Sequence, residues 1–237
     1  MTRELFRDDA YLKSCEAVVT AIDEAGIILD RTVFYPLGGG QPGDSGWLAR
    51  ADGARLMIAD TRKDRDSGII RHIPADGETA GLTVGEAVTA TLDWDRRHRH
   101  MRVHSCLHLM CAVIEGAVTG GQIGDGYGRL DFNLPDTSLD KEDITRRLNA
   151  LIATDHPLRA SSISDAELAA RPEMVRTMSV KPPSGAGRVR IINIEGVDLQ
   201  PCGGTHVRST AEIGPVHVSK IENKGRQNRR IRVVLDQ

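Results

Sequence analysis

His104-Ser-Cys-Leu-His108 and Cys202-Gly-Gly-Thr-His206 constrain this chain more than any other feature. The first reads H-x-x-x-H and the second C-x-x-x-H. Together they offer three imidazoles and one thiolate, a full tetrahedral donor set for zinc. From His108 to Cys202 is 94 positions (202 − 108), so only a folded domain can bring the two pieces together. A local zinc loop is excluded, and a metal built into the middle of a domain is expected. His104 and His108, four residues apart, stack on one face if that stretch is helical. The two glycines between Cys202 and His206 permit tight turns and close approach of a ligand.

The residues around these ligands narrow the chemistry. A metallopeptidase helix carries Glu after its first histidine as general base. Ser105 stands there instead, so the peptidase reading fails at its key residue. Zinc fingers place their ligand pairs far closer in sequence. Four protein ligands fit a closed structural site, whereas a catalytic zinc keeps a position open. The motifs alone leave that choice open.

With 237 residues there is room for one large domain or two modest ones. Hydrophobic residues make up 40% but aromatics only 3%, which predicts aliphatic cores and weakens any reading built on base stacking. The net charge of −2 means that nucleic-acid contact must use local basic patches. Arg96, Arg97, Arg99 and Arg102 form one such cluster, and Lys220, Lys224, Arg226, Arg229, Arg230 and Arg232 another. The charged start, Met-Thr-Arg-Glu-Leu-Phe-Arg-Asp-Asp, is unlike a signal peptide, and no apolar run approaches the roughly 20 residues that span a bilayer. Cys15, Cys106, Cys111 and Cys202 are too few and scattered for a disulfide scaffold, which fits reduced thiols and a cytoplasmic setting.

The patterning divides the chain into 1–92 and 93–237. In the first part, runs at Cys15–Ile22, Gly26–Phe34, Trp47–Ala49, Arg55–Thr61, Gly68–Ile73 and Ala87–Leu92 read as short strands. A turn at Asp23–Gly26 joins the first two. That pattern predicts a small β-barrel or sandwich. After Asp93 the period becomes helical. Val103, Leu107, Met110, Cys111, Ile114 and Val118 share a face, Asp93 or Asp95 caps the start, and Gly120-Gly121 ends the helix. A second helix spans Leu139–Thr154. Ser164-Asp-Ala-Glu167 is a capping box for a third. Strands at Arg188–Ile194, Ile213–Glu222 and Arg229–Leu235 complete an α+β unit, expected as an antiparallel sheet with helices on one side.

H-x-x-x-H with a distant C-G-G-T-H resembles the editing domain shared by alanyl- and threonyl-tRNA synthetases. Gly128-Arg-Leu-Asp-Phe-Asn133 is similar to the segment after that domain's histidine pair, and Asn223–Arg232 to its closing basic turn. Thr32-Val-Phe-Tyr-Pro-Leu-Gly-Gly-Gly-Gln-Pro-Gly-Asp-Ser-Gly46 resembles the glycine-rich segment before the editing domain of alanyl-tRNA synthetase, which also occurs in free-standing AlaX-type editing proteins. The likeness runs from about residue 10 to the end. The medium-length AlaX type matches best, since 237 residues leave no room for an aminoacylation domain.

The resemblance implies a β-barrel followed by a zinc-containing α+β editing domain. It also implies hydrolysis of the ester joining a wrong amino acid to alanine tRNA, serine foremost and glycine as the alternative. No membrane and no obligate protein partner are implied. Zinc would be held by His104, His108, Cys202 and His206, and would supply a nucleophilic water or polarise the carbonyl. By analogy Gln122, in what reads as a glycine-rich turn, helps to place the water or carbonyl. A buried group that bonds the serine hydroxyl spares alanine, which would leave it unpaired. Thr32 is the first candidate and Thr205 the second. Gly38, Gly39, Gly40 and Gln41 do not open a helix, because Pro42-Gly-Asp-Ser-Gly46 follows. They are expected to pack near the terminal adenosine of the tRNA. Lys224 and Arg226 are expected near RNA. The competing readings are a non-catalytic tRNA-binding module with structural zinc, a threonine-type editor, and a hydrolase of some other ester. The F-Y-P and G-G-G-Q-P words of the first part argue against the threonine branch.

Overall fold

The computed structural model describes residues 1–77, 79, 81–134, 138–177 and 187–236. The chain divides into two compact units, Met1–Arg99 and His100–Gln237.

Unit 1 begins with β1 (Arg3–Glu4) and a single helical turn, α1 (Leu5–Asp8). It continues with β2 (Ser14–Asp23), β3 (Gly26–Leu29), β4 (Arg31–Thr32), β5 (Gly46–Arg50), β6 (Arg55–Lys63), β7 (Ile70–Pro74) and β8 (Ala87–Leu92). Six of these close into an antiparallel barrel in the order β2-β3-β7-β6-β5-β8. Of the two architectures expected, the barrel is the one formed. Alternation makes it: along β8, Val88, Ala90 and Leu92 point inward while their neighbours face out. The interior is aliphatic, as the composition requires, with Val19, Ile27, Leu29, Leu48 and Ile58 around Phe34. Bulges between Val19 and Ala21 and between Ile58 and Asp60 supply curvature. The β2–β3 turn leaves two residues between the paired Asp23 and Gly26.

Helix α2 (Trp94–Val113) starts in unit 1 and carries on into unit 2. Asp93 caps it, its carboxylate accepting from Arg96 N at 3.1 Å. The helix does not reach Gly120-Gly121. It stops at Val113, and Val118 with both glycines lies in β9 (Ala117–Ile123). Val118 satisfies a two-residue period as well as a helical one, and pairing with the next strand decides between them. Nor is the burial one-sided: Met101, Cys106 and Leu109 are as deeply buried as the expected face, so α2 is a core helix.

Unit 2 continues with β10 (Tyr127–Asn133), α3 (Lys141–Ala153), β11 (Leu158–Ser164), α4 (Asp165–Ala169), β12 (Arg188–Ile194), β13 (Asp198–Pro201), β14 (Val216–Asn223) and β15 (Asn228–Leu235). Asp140 caps α3, whose Ile144, Leu148 and Ile152 are buried. The Ser164–Glu167 capping box forms as the sequence predicts. The single expected sheet is in fact two. The strands order as β14-β15-β10-β9 and as β11-β12-β13, both antiparallel. Gly128 brings the four-stranded sheet against α2, since a Cβ there would lie 2.6 Å from Val103.

Candidate metal centre

The two motifs converge. His104, His108, Cys202 and His206 each offer one donor atom, and these atoms all lie within 4.8 Å of one another. Helix α2 supplies the first two from consecutive turns. Strand β13 ends at Pro201 and hands the chain to the Cys202–His206 loop. Arg190 of β12 pins that loop, donating to the carbonyls of Cys202 at 2.8 Å and Gly204 at 2.9 Å. Cys202 Sγ lies 3.5 Å from His104 Nε2 and 3.3 Å from His206 Nε2.

The residues fit a zinc ion by the chemistry of this donor set and by what holds it. His108 turns its Nδ1 to Asp198, 3.0 Å away, which leaves Nε2 for a metal. Gln200 fixes Asp198 in turn, donating to its two oxygens at 2.9 and 2.8 Å. His206 Nδ1 lies 3.2 Å from Ser105 Oγ, which also accepts from Val207 N at 3.2 Å. Ser105, at the position where a peptidase would place its base, thus orients a ligand. The three histidines are buried and Cys202 is of intermediate burial as a residue.

Electrostatics separates this cysteine from the others. Burial raises the Cys202 thiol, but positive charge and hydrogen bonding from the neighbouring histidines outweigh it and hold the thiol well below its ordinary value. Burial alone pushes Cys106 up to about 12, and burial with the Asp198 charge does the same for Cys111. A low thiol is what a soft metal or an electrophile needs. Burial draws His108 down, yet its bonds to Asp198 and Cys202 prevail and raise it to about 10. Burial and repulsion from His104 hold His206 well below the ordinary value.

The other residues singled out from sequence fall in both units. Thr205 is buried between Gly204 and the ligand His206. Gln122 is not in a turn: it lies in β9, exposed, paired with Arg129 and accepting from its Nε at 3.2 Å. That places Gln122 on the sheet face opposite the one Gly128 presents to α2. Thr32 is fully buried in unit 1, where its hydroxyl lies 2.8 Å from His72 Nε2 and accepts from Phe34 N at 3.0 Å. Gly38 and Gln41 exchange backbone bonds of 3.1 and 2.9 Å around Gly39 and Gly40, both at positive φ, as a two-residue primed turn demands. Gly39 and Gly40 are exposed and Gln41 is buried. Arg97 serves no phosphate: it is fully buried, bidentate on Asp44 and donating to Val33 O and Ala10 O. Lys224 is exposed and paired with Glu222 at 3.3 Å, and Arg226 is exposed. Sequence reasoning missed Asp198, Gln200 and Ser105. The available signal was polar residues two and four places before Cys202 and one inside the histidine pair.

A six-stranded barrel and a unit whose three histidines and one cysteine could hold a metal ion make up a chain of the synthetase-editing class. Residues 189–232 match the family described as threonyl and alanyl tRNA synthetase second additional domain, and residues 7–96 match that of class II (A) tRNA synthetases. The alanyl-tRNA editing protein AlaX-M of Methanosarcina barkeri is 41% identical over 99% of each chain. Its counterpart from Saccharolobus solfataricus is 35% identical over 98% of each. The alanine–tRNA ligase of Saccharolobus islandicus is 32% identical over 93% of this chain, which covers 25% of the ligase. The chain belongs to the AlaX-M alanyl-tRNA editing proteins.

Proposed function

We propose that this chain is a trans-acting deacylase that clears alanine tRNA of a wrongly attached amino acid, serine foremost and glycine as the alternative. The observation that carries the reading is the cluster of His104, His108, Cys202 and His206, assembled from two distant motifs and buttressed by Asp198 and Ser105. Family membership supports alanine tRNA as the substrate. Those four side chains would hold zinc, which when bound supplies Lewis acidity toward an ester carbonyl or a water. Hydrolysis adds water to the ester carbonyl and releases the free amino acid and the ribose hydroxyl.

Serine is distinguished from alanine by a buried partner for its hydroxyl, which alanine would leave unpaired. Thr32, in unit 1, and Thr205, beside His206, are the two buried candidates for that partner. Gln122, bonded to Arg129, has no part in this reading. The test replaces Cys202 with Ala and follows zinc content and hydrolysis of seryl-tRNA(Ala) together. Both should fall at least tenfold. Wild-type values for both would sink the assignment. Retained tRNA binding with no metal-dependent hydrolysis even in the wild type would make the protein a binding module with structural zinc.

A further inference from the structure

One face of the four-stranded sheet in unit 2 is unusual in charge. Arg129 of β10, Arg232 of β15 and Lys220 of β14 are directly opposite one another across three adjacent strands, so their side chains share a face. Gln122 of β9 completes the row. Like charges in directly paired positions destabilise a sheet, and neutral or alternating residues would serve the fold better. The carboxylates nearby stand one row away, at Asp131 and Glu222. Asp131 is largely covered, gripped by Arg129 at 2.9 Å and by both arms of Arg230 at 2.8 Å. It aims two guanidinium groups and offers little negative charge to solvent. Glu222 holds Lys220 at 3.1 Å. Arg232 has no carboxylate partner among the described residues. It sits 4.7 Å from the Tyr127 ring centroid, restrained without being neutralised. The two rows hold four cations against two carboxylates, in a chain whose net charge is −2, so the excess is local.

The opposite face of the sheet is apolar and buried, with Leu130, Phe132, Ile231 and Val233. We propose that the cationic face binds the phosphate backbone of RNA, with Arg129, Arg232 and Lys220 as its contacts. The proposal rests on the reading of alanine tRNA as substrate and names the surface that grips the body of that molecule, apart from the metal cluster. Guanidinium groups restrained by a neighbour, Arg129 by Asp131 and Arg232 by the Tyr127 ring, suit phosphate oxygens, and a row of cations suits a repeating polyanion. Lys224 and Arg226, both exposed, lie in the turn joining β14 to β15.

The experiment measures binding of uncharged alanine tRNA over a salt series, so its result does not depend on whether the protein hydrolyses an ester. Three proteins are compared: wild type, Lys220→Gln with Arg232→Gln, and a control with Arg146→Gln and Arg147→Gln on α3, which loses the same charge. Removing two phosphate contacts should weaken binding about tenfold at roughly 0.1 M salt and lower the slope of log K against log salt by about two. The control should keep the wild-type slope. The Lys220/Arg232 variant should melt at or above the wild-type temperature, because it relieves a like-charge row. An unchanged slope, an equal loss in the control, or a lowered melting temperature that accounts for the lost binding would overturn the proposal. So would tighter binding to anionic phospholipid vesicles than to tRNA at the same salt. Wild-type protein that binds tRNA on this face yet leaves seryl-tRNA intact would refute the deacylase reading and leave the surface standing.

Discussion

At the scale of single residues the site is a set of four donors, two of them held from behind, His108 by Asp198 and His206 by Ser105. Asp198 engages His108 Nδ1 and is itself gripped by Gln200, which fixes both the tautomer and the ring plane of that ligand. An Asp198→Asn variant keeps the shape but loses the charged acceptor. Zinc affinity should fall ten- to a hundredfold, read by competition with a chelator of known affinity. Unaltered affinity would show that the carboxylate is there for packing alone. None of these supporting residues was legible in the sequence. A ligand announces itself by type and spacing, whereas its buttress can come from any strand that passes behind it. Ser105 shows the limit: its position excluded a peptidase, but only the fold shows it beside His206.

At the scale of elements, the glycine-rich segment is a backbone device. Gly43 is required by contact: a Cβ there would lie 2.2 Å from Thr61 O, an oxygen already accepting from Leu37 N at 2.8 Å. Gly39 is required by conformation, with φ +57 and open space around it. Gly39→Ala should therefore cost about 1–2 kcal/mol, the left-handed penalty alone. Gly43→Ala should cost more, about 3 kcal/mol, because the segment that carries it must move off β6. Denaturant midpoints would show the order, and a milder Gly43→Ala would contradict the contact argument. The elements themselves were largely legible, the barrel strands and α3 above all, because their periods are clean. The end of α2 was not, since Val118 fits either period until β10 pairs with it. The division of the later strands into two sheets was equally hidden, because a strand's pattern does not name its neighbour.

At the scale of the whole molecule, each unit carries its own polar interior. In unit 1 His72 is fully buried, its Nδ1 3.0 Å from Ile27 O and its Nε2 near Thr32. Burial lowers its pKa from 6.5 to about 4, against a smaller opposing pull from the Ile27 carbonyl. The unfolded chain takes up that proton near 6.5 and the folded barrel only near 4, so between these values the unfolded state binds more protons. Stability is therefore complete above about pH 6.5, declines as pH falls, and by about pH 4 has lost about 3 kcal/mol. Trp47 and Trp94 both lie in this unit, so tryptophan fluorescence melts report it. His72→Gln should flatten the dependence between those pH values, and a variant as steep as wild type would assign the effect elsewhere.

The sequence by itself determined the chemistry on offer: four candidate metal donors, an aliphatic β-rich first part, a glycine-rich turn and a basic tail. Residue type and local spacing are properties of the chain, and no fold is needed to read them. Tertiary structure alone decided which polar groups stand behind the ligands. It buried Arg97 on Asp44 and turned Gln122 away from α2. It also set Arg129 in one row with Arg232 and Lys220, although Arg129 lies 103 residues (232 − 129) before the first and 91 (220 − 129) before the second. Those outcomes depend on which strands pair and in what register, and a shift of one residue would send each side chain to the other face.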